Sequence, residues 1–203
     1  RAEVRRVLSR HGDVLCPRAL QCTRRLDSFV TETMRVGPHS INTFQREVTR
    51  PFRPSTGQEM PAGVVIEVPA HAVAHDPEIF PDPDRFDGLR FYRSRAEGRH
   101  FVPDYQHHFD SCKETFLTFG YGHHAFPGRS LASKNVKAIV AKVLILCETK
   151  LVDGVTEQYP NLTFGPMSFP SPTKELLFKK INQCRNYLLV SSVFKFGPRM
   201  NYT

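Results

Sequence analysis

The sequence predicts a mainly α fold with a small β portion, and three observations predict it. Ala132, Val136, Ile139, Val140, Val143, Leu144 and Cys147 recur at spacings of three and four, the period of a helix with one buried stripe. LDSFVTETMR, Leu26 to Arg35, reads as a second helix, on which Glu32 and Arg35 stand three apart and share a face. GVVIEVPAHAVAHDPEIF, residues 63–80, reads as an apolar strand leading into a short helix. The elements expected in order are helices at about 1–11, 19–36, 69–75 and 129–149, with strands near 41–47, 63–68, 161–165 and 175–181.

Composition bounds the function. With 40% hydrophobic residues and sixteen phenylalanines in 203 positions, the chain can build a core, which excludes a disordered protein. The formal charge is +8, but the basic residues are scattered and no nucleic-acid motif accompanies them. A solvated basic surface is expected, and no nucleic-acid partner. No run of about 18 apolar residues exists, so no membrane span is expected. The five cysteines, Cys16, Cys22, Cys112, Cys147 and Cys184, are odd in number and form no metal-type pair, which fits a reducing environment. Asn161-Leu-Thr and Asn201-Tyr-Thr spell glycosylation sequons, which matter only in a secreted chain.

FGYGHHAFPGR, Phe119 to Arg129, carries the most chemistry. Gly120, Gly122 and Gly128 remove side chains where a backbone must run close to a flat ligand, and Pro127-Gly128 makes a turn. The loop empties onto a helix N-terminus. There, free N–H groups and the positive dipole end favour a negatively charged atom near position 126, such as a metal-bound thiolate. Phe126 has no lone pair and cannot be that atom.

This stretch resembles the haem-binding loop of the cytochrome P450 family, where a phenylalanine, a glycine-rich approach and a cysteine before Gly-Arg form the proximal haem site. The family's cysteine falls on Phe126. Two more segments carry the resemblance in the same order. Glu32 and Arg35 match the family's Glu-x-x-Arg pair. FPDPDRF, Phe80 to Phe86, is similar to its Pro-Glu-Arg-Phe turn with aspartate for glutamate. Arg85 would then complete a buried Glu-Arg-Arg cluster with Glu32 and Arg35. RAEVRRVL is similar to the helix before the Glu-x-x-Arg helix, INTFQREVTRPF to the first strands of the small sheet, and KELLFKKI to its closing strand. Wording such as FDGLRF and FGYGHHAFPGRSLAS is similar to filamentous-fungal members.

The resemblance implies the C-terminal part of the cytochrome P450 fold over residues 1–180, with residues 181–203 an unmatched tail that holds the strand-like run Tyr187 to Phe196. The N-terminal half, with the membrane anchor, most of the substrate pocket and the oxygen-activating helix, is not in the sequence. The implied cofactor is haem. Phe119 would shield the sulfur side of the iron, Gly122 and Gly128 would admit the backbone, and His124 and Arg46 would meet the propionates. Position 126 is the axial metal-ligand position, its ligand lost. Intact members insert one oxygen atom into a small apolar substrate with electrons from NADPH through a reductase, on the cytosolic face of the endoplasmic reticulum membrane. Lys134 and Lys137 are the candidate reductase-docking residues. With Phe126 in place, the expectation is an inactive portion of a monooxygenase. The alternative is a degenerate, non-catalytic relative that binds haem, another ligand or a protein. His107, His108, His123 and His124 are further imidazoles that could meet iron, and Cys112 is expected to be an ordinary thiol.

Overall fold

A computed structural model of the chain describes residues 1–96, 108–152, 155–156 and 159–181. Its helices are α1 (Ala2–Ser9), α2 (Pro17–Gln21), α3 (Arg24–Val36), α4 (Ala70–Ala74), α5 (Arg90–Ala96) and α6 (Arg129–Leu146). The strands are β1 (Thr43–Glu47), β2 (Val65–Val68), β3 (Cys147–Leu151), β4 (Leu162–Phe164), β5 (Met167–Phe169) and β6 (Leu176–Lys180). The fold is therefore mainly α with a small β portion. His107, Cys184, Asn201 and the run Tyr187 to Phe196 lie outside the described residues.

Helix α3 is the centre of the molecule. Leu26 and Val30 join Val4 and Leu8 of α1, Leu20 of α2, Phe109, Phe116, and Ala141 and Ile145 of α6 in one core. Its N-terminus borrows its cap: the Glu3 carboxylate accepts the amides of Arg25 and Leu26 at 2.8 and 2.9 Å, satisfying donors that no earlier turn can reach. The expected single helix over 19–36 is two helices. Thr23 breaks it, because its hydroxyl donates to Leu20 O at 2.7 Å instead of capping, with ψ at 68°.

Buried on α3 beside the apolar residues are Asp27 and Glu32, 1% and 0% exposed. Asp27 accepts from Lys137 Nζ of α6 and Arg95 Nη2 of α5, both at 2.7 Å, and from the Phe109 amide at 3.2 Å. His108 Nδ1 stands 3.7 Å away. These contacts explain α5, which the sequence reading missed. Arg-Phe-Tyr-Arg-Ser-Arg-Ala has no apolar stripe, and the helix is held to α3 by ion pairs and by the Tyr92 amide on Ser28 Oγ at 2.9 Å.

Helix α6 corrects the expected buried stripe. Its buried residues are Ser133, Lys137, Ala141 and Ile145, four apart throughout. Val136 and Ile139 are exposed, while Val140 and Leu144 pack at the edge of the core. A helix apolar on nearly every side does not announce its inner face by periodicity. Here Lys137 sets that face through Asp27, and the small Ser133 and Ala141 let neighbouring elements approach. The helix also stops at Leu146 rather than running to 149. Cys147 turns extended and opens β3, which pairs antiparallel with β6 from Cys147↔Lys180 to Leu151↔Leu176.

The other two sheets are also two-stranded. β1 pairs antiparallel with β2, with a register shift between Thr43 and Arg46 where Phe44 sits at φ 58°. The expected strand over 161–165 is half of a hairpin: β4 and β5 join at Gly165, φ 55°. The hairpin docks on residues 39–41 through Ile41 N to Pro166 O and Ser168 N to His39 O, at 2.7 and 2.9 Å.

Removing Asp27 takes from Lys137 and Arg95 the buried carboxylate that both of them bond. Asp27→Ala and Lys137→Ala are each expected to lower the unfolding free energy by about 3–5 kcal/mol. Lys134→Ala, three residues before Lys137, is expected to stay within about 0.5 kcal/mol. Urea unfolding of the three variants checks the ranking.

Candidate functional site

The loop between the core and α6 is built by backbone bonds. Gly120 N donates to Leu117 O at 2.9 Å and Ala125 N to Gly122 O at 3.1 Å, the second across a 3₁₀ turn over Gly122–His124. Gly120 and Gly122 sit at φ 73° and 71°, the left-handed region that a Cβ disfavours. Phe126 N then donates to Phe119 O at 2.8 Å and closes the loop. Arg129 returns to the Phe126 carbonyl with its amide at 3.3 Å and Nη1 at 3.1 Å.

Phe126 folds inward over this frame. Its ring stacks on Phe119 with centroids 6.1 Å apart and planes at 26°, and Phe119 meets the buried Phe109 edge-on at 5.2 Å. Half of Phe126 remains exposed. Gly128 makes room for it: a Cβ there would come within 2.8 Å of Phe126 Cζ. Its φ of −80° is one any residue adopts, so a Cβ here would meet only the Phe126 ring, which would have to move aside. His124 is exposed at the end of the 3₁₀ turn. Arg46, half-buried on β1, lies 4.4 Å over the Phe44 ring and donates to Gln45 O at 2.6 Å. Its contacts are thus local to β1, and none of them is to Phe126. His108 is beside Asp27 rather than in the loop. Cys112 is half-buried, and burial pushes its thiol pKa up.

A second constellation lies behind the loop, around Glu32. Its Oε2 accepts Arg35 Nε at 2.8 Å and its Oε1 accepts Arg35 Nη2 at 2.9 Å, a two-pronged fork. Oε1 also takes the Asp87 amide at 2.9 Å and Arg90 Nε at 3.1 Å. Arg35 Nη1 donates to Ala74 O at 2.7 Å, and its guanidinium lies 5.3 Å over Phe80. The expected third member is corrected: Arg90 reaches Glu32, not Arg85. Arg85 is exposed and contributes only its carbonyl, which accepts from Arg90 Nη2 at 3.0 Å. The reason is geometric. The turn through Pro81, Asp82 and Arg85 presents carbonyls inward to Arg90, and Arg90 opens α5 opposite Glu32. Burial acts to raise the Glu32 pKa. The Arg35 fork, the Asp87 amide and the charges of Arg35 and Arg90 together hold it below its ordinary 4.5.

Lys137 is likewise corrected as a docking residue. It is 5% exposed and its ammonium is spent on Asp27. Sequence reasoning missed the Asp27–Lys137 pair because 110 positions separate the two. The one available signal was a lysine standing among apolar positions of the helix, and Lys134 and Lys142 carry the same signal. Cys16, Cys22, Cys112 and Cys147 are free thiols. Among the described residues no group of three or more His, Cys, Asp or Glu side chains is placed to hold a metal ion, and no helix is long and apolar enough to cross a membrane.

A glycine-rich loop that feeds a helix, and a buried Glu-Arg-Arg cluster on the helix that centres the core, are the arrangement expected of a cytochrome P450 from the resemblance in the sequence. Residues 1–179 match the Cytochrome P450 family, and the chain belongs to it. It is 34% identical over 183 residues to the cytochrome P450 monooxygenase ATR3 of Stachybotrys chlorohalonatus, covering 89% of this chain and 38% of that protein. It is 44% identical over 130 residues to the cytochrome P450 monooxygenase ccsG of Aspergillus clavatus, covering 64% of this chain and 25% of that protein. The chain thus spans well under half the length of these fungal relatives. The retinoic acid bound cyanobacterial CYP120A1 shares the fold, with a TM-score of 0.61 over 81% of this chain and 34% of its own, at 19% identity.

Haem is the cofactor this family implies, and the donor set at the loop centre does not fit its axial bond. Phe126, on which the resemblance in the sequence places the family's sulfur ligand, offers a hydrocarbon ring stacked on Phe119. No chemical step through iron is therefore derived for this chain.

Glu32 and Arg90 generate two expectations. Arg90→Ala is expected to destabilise by about 3 kcal/mol or more by stranding part of a buried carboxylate, against about 0.5 kcal/mol or less for Arg85→Ala. Because the folded pKa of Glu32 is depressed, its contribution is complete above the unfolded value near 4.5 and is lost as pH falls through the folded value. Thermal melts from pH 7 down to pH 3 are expected to show the wild-type chain losing more stability than Glu32→Gln in that range.

Proposed function

We propose that this chain carries the cofactor-loop portion of a fungal-type cytochrome P450 and does not itself insert oxygen. The observation that carries the proposal is Phe126 at the position that the resemblance gives to the axial cysteine. A thiolate donor is what favours O–O cleavage in this class of haem protein, and a phenyl ring supplies neither lone pair nor charge. In this reading the whole-protein reaction of functional relatives is insertion of one oxygen atom into a small apolar molecule. Electrons come from NADPH through a reductase at the cytosolic face of the endoplasmic reticulum. His124 and Arg46 keep their roles toward the propionates, Arg46 by leaving the Phe44 ring and Gln45 carbonyl. Residues 1–180 form this portion, and 181–203 a tail outside it.

The test is haemin titration of the purified chain followed by the reduced carbon monoxide spectrum. The expected result is no thiolate-type band, and such a band from the wild-type chain would sink the proposal. Phe126→Cys, grafted behind the matching N-terminal part of the Stachybotrys relative, is expected to restore that band. Its failure there, with the parent enzyme positive, would remove position 126 from the axial role.

A second reading, a haem-binding relative without chemistry, is favoured by the exposed His123 and His124 at the rim of the loop. Saturable haemin uptake with a histidine-type spectrum, abolished in His123→Ala/His124→Ala, would select it.

A further inference from the structure

We infer that His71 and His75 form a two-histidine site for a divalent transition metal, Cu(II) foremost, on the exposed side of α4. His71 lies in this short helix and His75, four residues on, is its C-cap, so the two side chains stand about one turn apart. Their imidazoles stack with centroids 4.1 Å apart and planes at 17°. His75 Nδ1 lies 2.9 Å from His71 O. A carbonyl only accepts, so Nδ1 carries the proton and the Nε2 lone pair faces away from the helix. This is the orienting bond that metal-ligating histidines make with their second nitrogen.

The support under the pair is firm on both sides. His71 N donates to Ile41 O at 3.0 Å, and Ala74 O accepts from the buried Arg35 at 2.7 Å. His71 is exposed and His75 half-buried, so both edges are accessible to solvent.

Two nitrogens bound cis at ~2.0–2.1 Å from one ion stand ~3 Å apart, so the two rings, already side by side, must rotate out of their stack until both nitrogen edges point to one ion. No third side chain joins the pair among the described residues, so water completes the coordination. A tetragonal nitrogen–oxygen set of this kind suits Cu(II), which stands highest in the affinity order of the divalent ions, with Ni(II) and Zn(II) weaker.

The test is Cu(II) titration of the full chain by calorimetry and electron paramagnetic resonance, comparing wild type with His71→Gln, His75→Gln and His11→Gln. His11 is the matched control. Its Nδ1 also bonds a carbonyl four residues back, Val7 O at 2.8 Å, but no histidine lies one turn away in sequence. One site with two imidazole nitrogens is expected, weakened at least tenfold in either α4 variant and unchanged in His11→Gln. A site that survives His71→Gln at full strength overturns the inference. A second measurement needs no variant: Cu(II) is expected to protect His71 and His75 of the wild-type chain from diethyl pyrocarbonate. Protection confined to other histidines would equally defeat the assignment.

Discussion

Two carboxylates buried on one helix constrain everything around them. Asp27 and Glu32 are inside the protein on α3, where an unpaired charge costs several kcal/mol. Each is paired twice, Asp27 with Arg95 and Lys137, Glu32 with Arg35 and Arg90. The five-residue interval between the acids equals that between Arg90 and Arg95, so α3 and α5 run antiparallel with an ion pair at each end. Apolar faces can slide past one another with modest loss. Point charges with hydrogen bonds in fixed directions cannot, and the register of the two helices follows from them.

The same acids hold the loop in place. Lys137 draws α6 onto α3 through Asp27, and α6 begins where the loop ends. From the other side, the Phe109 amide donates to Asp27, Phe109 packs on Phe119, and Phe119 stacks on Phe126. A line of contacts therefore runs from a buried carboxylate to the half-exposed ring at the centre of the loop. The Glu32 cluster ties α3 to other segments, since Arg35 reaches the Ala74 carbonyl of α4 and the Glu32 carboxylate takes the Asp87 amide.

How much of this was legible in the sequence depended on whether a signal was local. The α3 helix, the β2 strand with α4 behind it, and the left-handed glycines at 120 and 122 follow from spacing and residue type within a few positions. Arg90 did not. Phe80 to Phe86 carries the recognisable wording and so pointed to Arg85, whereas the residue that meets Glu32 is selected by the path of the intervening turn. The inner face of α6 was hidden for a related reason: Val136 and Ile139 read as core, and only the position of Asp27 says that Lys137 is. β3 was hidden because Cys147 extends the helical period until β6, thirty residues later, supplies a better partner for its backbone.

Phe126 shows how the loop's frame and the side chain at its centre separate in this chain. The loop's shape is fixed by hydrogen bonds among Phe119, Gly122, Phe126 and Arg129, and a side chain at position 126 enters none of them. The phenyl ring adds a stacking contact with Phe119, a class worth about 0.5–1.5 kcal/mol beyond area. Gly128 leaves the space that the ring takes. A sulfur at this position would act on a ligand, not on the frame. A change of side chain at position 126 therefore alters what the loop offers a ligand while leaving the determinants of the fold intact.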